Sequence, residues 1–455
     1  MKLKCEEPWV VSASTFAKNT CNPIRNVVEN LVLNPNPDKP MIALSIGDPT
    51  VFGNLAPSPE SIDAIVQSIQ SGKYHGYAPS TGYVEARAAV AEYVSCPGAQ
   101  VTANDVVLTS GCSCALDLAI TVLACPGDNI LVPRPGFPLY KTLAEGLGIE
   151  TRQYDLIPEL NWEPDLEHLQ SLIDEKTRTI IVNNPSNPCG SVYTQEQLKK
   201  ILRIAEEYKL PIIADEIYDD FVFSESTPFY RMASLTSSVP ILSCGGLTKR
   251  FLCPGWRMGW IIVYDKNGIF DHEIRLGLHR LSQRIIGSNT IVQGALPAIL
   301  RNTPQSFFDE TISIVKRNAD LAFKILSEVP GLKPIPPQGA MYMMIAIDLD
   351  RFPAFQDDLE FVEAMVSEQS VFCLPGKCFD YPRFCRIVLT VPQAQTQEAC
   401  ERIEQFCRRH YVDSLKYHTI IPSIPENIKP SLTQYLQERN KHYNGHLPET
   451  SDHKN

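Results

Sequence analysis

The sequence predicts an α/β fold built around a mostly parallel sheet with helices on both of its faces. Short apolar runs alternate with longer stretches of helical periodicity through the middle of this 455-residue chain. Unusual residues such as Gly, Pro, Asn and Asp cluster where the apolar runs end. Strands that alternate with helical patterns are typical of β-α-β units, whose strands lie parallel in one sheet.

Five candidate strands justify this prediction, each with a polar or glycine-containing segment after it. In chain order they are 105–108 before 109–113, 130–132 before 133–137, 179–182 before 183–190, 211–214 before Asp215, and 239–242 before the loop of Lys249. Helical patterns follow at 115–124 and 194–208, and another runs from about 307 to 329. Because open α/β sheets bind ligands outside the carboxyl ends of their strands, we expect these segments to converge.

Composition limits the classes of partner. With 44 % hydrophobic and 20 % charged residues the chain has an ordinary globular composition, and its net charge of −11 argues against nucleic acid or an anionic membrane. Residues 1–7 contain early acids and resemble neither a signal nor a transit peptide, so we expect a cytoplasmic protein. The 14 cysteines are scattered without a C-x-x-C pair, which favours reduced thiols and no metal site.

The segment 243–260, S-C-G-G-L-T-K-R-F-L-C-P-G-W-R-M-G-W, carries the most chemical information. It places Lys249 in a tight loop after a strand, and Arg257 follows eight residues later. Such an amine can form a Schiff base with an aldehyde cofactor, and a nearby guanidinium can hold a phosphate. The pair therefore indicates pyridoxal phosphate, and a solvated surface lysine is the alternative.

Several strings in this order resemble the fold-type I pyridoxal-phosphate aminotransferases. They are L-S-I-G-D-P-T-V-F-G-N-L, G-K-Y-H-G-Y-A-P-S-T-G, N-N-P-S-N-P-C-G-S-V, A-D-E-I-Y and S-C-G-G-L-T-K-R, and the likeness runs from about Ser14 to Tyr411. The resemblance implies a large domain with a mostly parallel sheet and a smaller α+β domain. We expect an N-terminal arm and part of the small domain in 1–72, the cofactor domain in 73–328, the small domain in 329–412 and a polar tail in 413–455.

The resemblance implies a role for each candidate cofactor residue. Lys249 would anchor the cofactor and move a proton, and Asp215 would pair with the protonated pyridine nitrogen. Tyr218 would donate to the cofactor O3′, and Phe137 would stack on the ring. The phosphate would lie among Gly111, Cys112, Ser113, Thr248 and Arg257. Taken singly, each of these residues could also have a purely structural role. The carboxylate could form an ion pair or cap a helix, the aromatic rings could belong to the core, and 111–113 could be a simple strand-to-helix turn.

The resemblance also implies which residues bind the substrate. Arg386, in a strand-like run, would hold the amino-acid carboxylate by a bidentate fork, with a structural ion pair as the alternative. Asn187 would contact both O3′ and this carboxylate, although asparagine is also common in turns. The backbone of Gly47 would face the substrate, and residues 20–25 would belong to an arm that helps close the pocket.

Three further expectations come from the resemblance. Tyr77 would reach the cofactor phosphate of a neighbouring subunit, which implies a homodimer with shared sites. Cis peptides are expected before Pro135 and Pro188. Many relatives have a hydroxyl residue three positions before the lysine, whereas Gly246 stands here, so one phosphate contact is expected to be missing.

The implied reaction is a ping-pong transfer of an amino group from an aromatic amino acid to 2-oxoglutarate. Lyases of the same fold share Lys249, Asp215 and Arg386, so β-elimination stays open, as do other aromatic donors and kynurenine. A non-enzymatic regulator fused to a DNA-binding module is disfavoured by the charge, and a cofactor-free scaffold by the set of site residues.

Overall fold

The computed structural model describes residues 10–31 and 33–413. The expected polar tail therefore lies outside the described residues from 414 onward, as do residues 1–9. All the cysteines in the described part are free thiols. No helix in that part is both long and apolar enough to cross a membrane.

The helices begin and end as follows. They are α1 (Thr15–Asn19), α2 (Pro23–Asn30), α3 (Pro59–Gln70), α4 (Val84–Val94), α5 (Cys112–Leu123), α6 (Leu139–Gly146), α7 (Leu166–Ser171), α8 (Gln195–Glu207), α9 (Ile274–Ser282), α10 (Thr290–Asn302), α11 (Gln305–Leu326), α12 (Asp358–Gln369) and α13 (Gln393–His410). The predicted helical patterns at 115–124, 194–208 and 307–329 correspond to α5, α8 and α11.

Fourteen strands are found among the described residues. They are β1 (Ile42–Ala43), β2 (Val106–Thr109), β3 (Asn129–Arg134), β4 (Glu150–Ile157), β5 (Glu163–Pro164), β6 (Thr177–Asn183), β7 (Ile212–Asp215), β8 (Ile241–Gly246), β9 (Gly259–Tyr264), β10 (Leu332–Pro334), β11 (Tyr342–Ile347), β12 (Val371–Phe372), β13 (Leu374–Pro375) and β14 (Phe384–Val388). All five predicted strands are present.

The large sheet has eight strands in the order β2-β9-β8-β7-β6-β3-β4-β5. Strands β8, β7, β6, β3 and β4 are parallel to their neighbours within this run. Strand β9 runs antiparallel between β2 and β8, and the short β5 is antiparallel to β4. The prediction of a mostly parallel α/β sheet is confirmed.

Both faces of this sheet are buried along β7, β8 and β9, which explains why these strands are apolar runs, whereas β4 is more polar and partly exposed. On β7, Ile213 packs in the same apolar cluster as residues of α5, whereas Ile212 packs with residues of α8. Helix α8 itself begins with a capping box, in which Thr194 and Gln197 each accept a backbone N–H from the other. The sheet is thus held rigidly between two helical layers.

A smaller antiparallel sheet has the order β10-β11-β14-β13. The parallel pair of β1 and β12 joins the chain near residue 42 to the chain near residue 371. This pairing brings the segment 44–48 next to β14, where Val388 donates a backbone hydrogen bond to the carbonyl of Leu44. Residues from near the two ends of the described chain therefore meet at one place.

Candidate active site

The carboxyl ends of β6, β7 and β8 open into one cavity of about 290 Å³. All the predicted site residues except Gly111 and Tyr77 line this cavity: Gly47, Cys112, Ser113, Phe137, Asn187, Asp215, Tyr218, Thr248, Lys249, Arg257 and Arg386. They converge because parallel strands end at the same edge of the sheet. Sequence reasoning therefore located the residues of one cavity, although they are spread over more than 300 positions.

The carboxylate of Asp215, at the end of β7, lies at the bottom of the cavity and is only 2 % exposed. Its oxygens accept hydrogen bonds from the Tyr140 hydroxyl at 2.6 Å and the Ile217 backbone N–H at 3.3 Å, and the Cys112 thiol lies 3.8 Å away. Burial raises the pKa of Asp215 to about 6, and the hydrogen bond from Tyr140 opposes this shift. No ion pair of Asp215 exists among the described residues, so the alternative of an ordinary ion pair is not supported there.

The N-terminus of α5 forms an anion-binding cup beside this carboxylate. Gly111 is the N-cap of the helix and has no side chain to accept its first N–H groups, so those of Cys112 and Ser113 have no acceptor in the described chain. The Arg257 guanidinium lies against Gly111, where a Cβ atom would approach its Nη2 to 2.6 Å. Free N–H groups, a helix dipole and a guanidinium together are suited to a phosphate.

The absent hydroxyl at position 246 has a packing explanation. Gly246 pairs with Gly259 across β8 and β9, and a Cβ atom at 246 would lie 2.6 Å from the Met258 carbonyl oxygen. Gly259 in turn lies under the cup, since its own Cβ would meet the carbonyl carbon of Gly111 at 2.4 Å. The glycines let β9 and the cup approach each other closely, and a larger residue at 246 does not fit this backbone.

Lys249 extends from the turn after β8 into the cavity. Its Nζ donates a 2.7 Å hydrogen bond to the carbonyl oxygen of Gly47 and lies 5.9 Å from the ring centre of Tyr218. Thr248 lines the same wall. The lysine is half-buried, so the alternative of a fully solvated surface lysine does not describe it.

Arg386 lies on β14, lines the same cavity and is 3 % exposed. Its Nη1 donates to Asn187 Oδ1 at 2.9 Å and its Nη2 donates to the Ser45 carbonyl at 3.0 Å, whereas Nε has no partner. Burial lowers the pKa of this guanidinium. No carboxylate pairs with Arg386 in the described residues. A buried cation without an anion is costly, so the site is suited to an anionic ligand.

Tyr342, on β11, is a cavity residue that the sequence did not reveal. Its ring lies 4.3 Å from the Arg386 guanidinium carbon, and its hydroxyl lies 2.8 Å from that of Tyr218. Burial by itself would raise the pKa of Tyr342, but the positive charges of Lys249 and Arg386 outweigh it and the pKa is lowered. In sequence this residue looks like any core tyrosine, because its function depends on neighbours from distant segments.

The turn after β6 is held by Asn183. Its side chain donates to the Asp215 carbonyl at 3.0 Å and accepts the Asn187 N–H at 2.7 Å. The two cis peptides expected before Pro135 and Pro188 are both present, and a third, unexpected one precedes Pro185. Phe137 lies at the cavity wall with its ring edge-on to that of Tyr140, at 5.8 Å between centres.

Tyr77 does not line the cavity of its own chain. Its side chain is 88 % exposed. Other exposed apolar side chains lie on the same part of the sequence, with Ile62, Val66 and Ile69 spaced along α3. The position of Tyr77 is therefore that of a group available to a neighbouring molecule.

Comparison with known proteins gives matches along most of the chain. Residues 39–403 match the family model described as aminotransferase class I and II. Tyrosine aminotransferases of Mus musculus and Homo sapiens are 56 % and 57 % identical over 403 residues, covering 89 % of this chain and 88 % of each relative. The crystal structure of tyrosine aminotransferase from Leishmania infantum matches 89 % of this chain and all of that chain, at 34 % identity with a TM-score of 0.84.

Proposed function

Because this chain belongs to the aminotransferase class I and II family, we propose that it transfers the amino group of L-tyrosine to 2-oxoglutarate with pyridoxal phosphate as cofactor. The products are 4-hydroxyphenylpyruvate and L-glutamate, formed in two half-reactions at one site. The identity of more than half of the residues with tyrosine aminotransferases carries the choice of substrate. The enzyme is of fold-type I, as its sheet order and structural relatives agree.

The cavity fits this cofactor at its charged ends. The free N–H groups of Cys112 and Ser113, with Arg257, match a phosphate dianion, and the Thr248 hydroxyl adds a donor. The buried carboxylate of Asp215 matches a protonated ring nitrogen, because a buried charge is stabilised by an opposite charge. When bound, pyridoxal phosphate supplies an electron sink for the bonds at the substrate Cα.

We assign two roles to Lys249. Its amine would hold the cofactor through the aldehyde carbon, and when not so engaged it would serve as the general base for the proton at the substrate Cα. The hydrogen bond holds Nζ at the Gly47 carbonyl, two residues from Ser45, whose carbonyl accepts from Arg386. Tyr218 and Asn187 are assigned to the cofactor O3′, and Phe137 to the ring face.

Arg386 is assigned to the substrate α-carboxylate. Its two terminal nitrogens are each held by a hydrogen bond, to Asn187 and to Ser45, which fixes the plane of the guanidinium, and no carboxylate pairs with it in the described chain. A planar fork matches a carboxylate in a bidentate manner. All amino-acid and 2-oxo-acid substrates share this carboxylate, so the same contact serves both half-reactions.

The enzyme is further proposed to be a homodimer. The exposed phenol of Tyr77 and the exposed apolar side chains Ile62, Val66 and Ile69 on α3 support a partner surface in this part of the chain. Tyr77 of one subunit would then donate to the cofactor phosphate of the other, and each site would need both chains. A cytosolic location is proposed as well, supported by the free thiols of the described cysteines.

The reaction is tested with purified, cofactor-loaded protein, L-tyrosine and 2-oxoglutarate. We expect 4-hydroxyphenylpyruvate and L-glutamate in equal amounts, and product formation should stop after one turnover when 2-oxoglutarate is omitted. Release of ammonia without a need for 2-oxoglutarate would show an eliminating enzyme instead. A panel with phenylalanine, tryptophan and kynurenine as donors, compared by kcat/KM, then sets the range of substrates.

A further inference from the structure

We propose that Tyr140 is a positioning residue that fixes the orientation and the charge of the Asp215 carboxylate. The proposal rests on the proposed function in that Asp215 is taken to face the cofactor ring nitrogen. Tyr140 was not among the site residues predicted from the sequence. It does not line the cavity itself but lies behind Asp215, to which its hydroxyl is bonded.

The hydrogen bond between the two residues is short and directional. The Tyr140 hydroxyl is 2.6 Å from Asp215 Oδ2, while Oδ1 receives the Ile217 N–H and faces the Cys112 thiol. Each carboxylate oxygen thus has a donor from the protein, which fixes the plane of the group. The remaining lone pairs are directed away from these donors and are available to a ligand in the cavity.

Tyr140 acts as a donor at any physiological pH. It is 1 % exposed, and burial beside Asp215 raises the pKa of its phenol well above the ordinary value. The phenol therefore keeps its proton, and the carboxylate is the acceptor. A donor of this kind favours the charged form of the acid, which opposes the effect of burial on Asp215.

Tyr140 also contacts the second residue assigned to the cofactor ring. Its ring lies edge-on to Phe137 with an interplanar angle of 89°, and its backbone N–H donates to the Phe137 carbonyl. One side chain near the start of α6 therefore supports both the group proposed to stack on the ring and the group proposed to pair with its nitrogen. A tyrosine that only filled the core would need neither contact.

The variant Tyr140→Phe removes the hydroxyl and keeps the ring contact with Phe137. Tyr154→Phe is the matched control, because Tyr154 is equally buried nearby but its hydroxyl donates to the Ile181 carbonyl at 2.8 Å. Tyr140→His, which retains a ring N–H, tests rescue by another donor. All three are compared with the unmodified protein by circular dichroism and thermal unfolding, which show whether each variant is folded.

The first measurement uses cofactor-free protein labelled with ¹³C at the aspartate carboxyl carbons, with Asp215→Asn to assign the signal. We expect the pKa of Asp215 to rise by about one unit in Tyr140→Phe, the equivalent of one lost hydrogen bond to a charged group. It should stay unchanged in Tyr154→Phe. This result does not depend on the reaction that the enzyme catalyses.

The second measurement uses protein loaded with pyridoxal phosphate labelled with ¹⁵N in the ring. We expect the nitrogen signal of Tyr140→Phe to shift toward the unprotonated value, with kcat about tenfold or more below wild type and KM little changed. Tyr140→His should recover part of both. Equal pKa values, ¹⁵N shifts and rates in Tyr140→Phe and Tyr154→Phe would overturn the proposal, since Tyr140 would then be only a packing residue. Failure of the wild-type protein to bind the cofactor would overturn the proposed function, while the ¹³C comparison would still decide the role of Tyr140.

Discussion

Arg386 and Asn187, 199 positions apart in the chain, are joined by a 2.9 Å hydrogen bond from Nη1 to Oδ1. Asn187 is itself fixed through its backbone to Asn183 at the end of β6. The small sheet that carries Arg386 is thereby connected to the large sheet at the point where the substrate carboxylate is proposed to bind. The same bond orients the guanidinium and holds the two sheets together.

Arg386→Lys should weaken the binding of every amino acid alike. Lysine keeps the positive charge but loses the planar fork, so we expect KM to rise for all donors and kcat/KM to fall about 100-fold. The measurement is a panel of donors with different side chains. Arg383→Lys, at an exposed position that pairs with Asp350, is the control and should have little effect. Loss of only one donor would place Arg386 at the side-chain pocket instead.

Lys249→Ala should abolish transamination and leave the fold intact. The variant removes both the covalent anchor and the base, and a positioned base by itself contributes roughly 10²–10⁴-fold. Absorbance should show pyridoxal phosphate that can be dialysed away, whereas circular dichroism should match the wild type. Lys200→Ala, on the exposed side of α8, serves as control. A folded Lys249→Ala protein with most of its activity would falsify the assignment.

Asp215→Asn should separate stability from activity. The pKa of Asp215 is raised from 3.8 to about 6 in the folded chain. Burial of its charged form therefore lowers the free energy of unfolding, and this penalty is absent below pH 4 and complete above pH 6. In cofactor-free protein we expect Asp215→Asn to gain up to about 3 kcal/mol over wild type as pH rises through this window. Urea unfolding at several pH values measures it.

Two comparisons make this test specific. Asp128→Asn should behave in the opposite sense, because the hydrogen bond from Arg178 lowers the pKa of Asp128 and its loss destabilises the protein above pH 4. In loaded enzyme Asp215→Asn should lose several orders of magnitude in rate, since an amide cannot stabilise a charged ring nitrogen. Transamination within a few-fold of wild type would assign the pairing to another group.

Gly246→Ser should destabilise the protein although it adds the hydroxyl that the family resemblance led us to expect at this position. The new Cβ would lie 2.6 Å from the Met258 carbonyl and 2.9 Å from the Cα of Gly259. Overpacking of this kind costs about 1–3 kcal/mol. Gly255→Ser is the matched control, because nothing lies within 4 Å of a Cβ there. Thermal unfolding and cofactor affinity should both be worse for Gly246→Ser; tighter phosphate binding would show that the backbone yields.

Tyr77 allows a test of the shared site. Tyr77→Ala and Lys249→Ala chains, co-expressed, should form mixed dimers in which one site has an intact lysine and receives an intact tyrosine from its partner. With random assembly we expect about one quarter of wild-type activity from two variants that are each impaired alone. If activity stays at the level of the separate variants, Tyr77 acts within its own chain or not at all.

Five of the eight strands of the large sheet could be predicted because burial on both faces makes them apolar runs, as in Ile180-Ile181-Val182. The partly exposed β4 and the two-residue β5 were not predicted, and neither was β9. Strand β9 begins inside the glycine- and tryptophan-containing loop segment, and its antiparallel direction depends on pairing with β2 and β8, which no local pattern records.

The residues of the candidate site likewise include some that the sequence predicts and some that it does not. Residues at strand ends, such as Asp215 and Lys249, could be located because their positions in the chain imply a common edge. Tyr342 and Tyr140 could not, since a tyrosine in an apolar segment usually belongs to the core. Their relevance lies in contacts with Arg386 and Asp215 across long sequence separations.

The hydrogen bond between Arg386 and the Ser45 carbonyl joins an early segment of the chain to a late one. The strands that carry Asp215 and Lys249, and the helix of the anion cup, are complete once β9 ends at Tyr264. Arg386 is synthesised more than 120 residues after Tyr264. Its hydrogen bond to the carbonyl of Ser45, a residue near the start of the chain, can form only after that. The residues of the cofactor side are therefore synthesised before Arg386. Chains terminated before β14 should still retain the cup residues but have no arginine to receive a substrate.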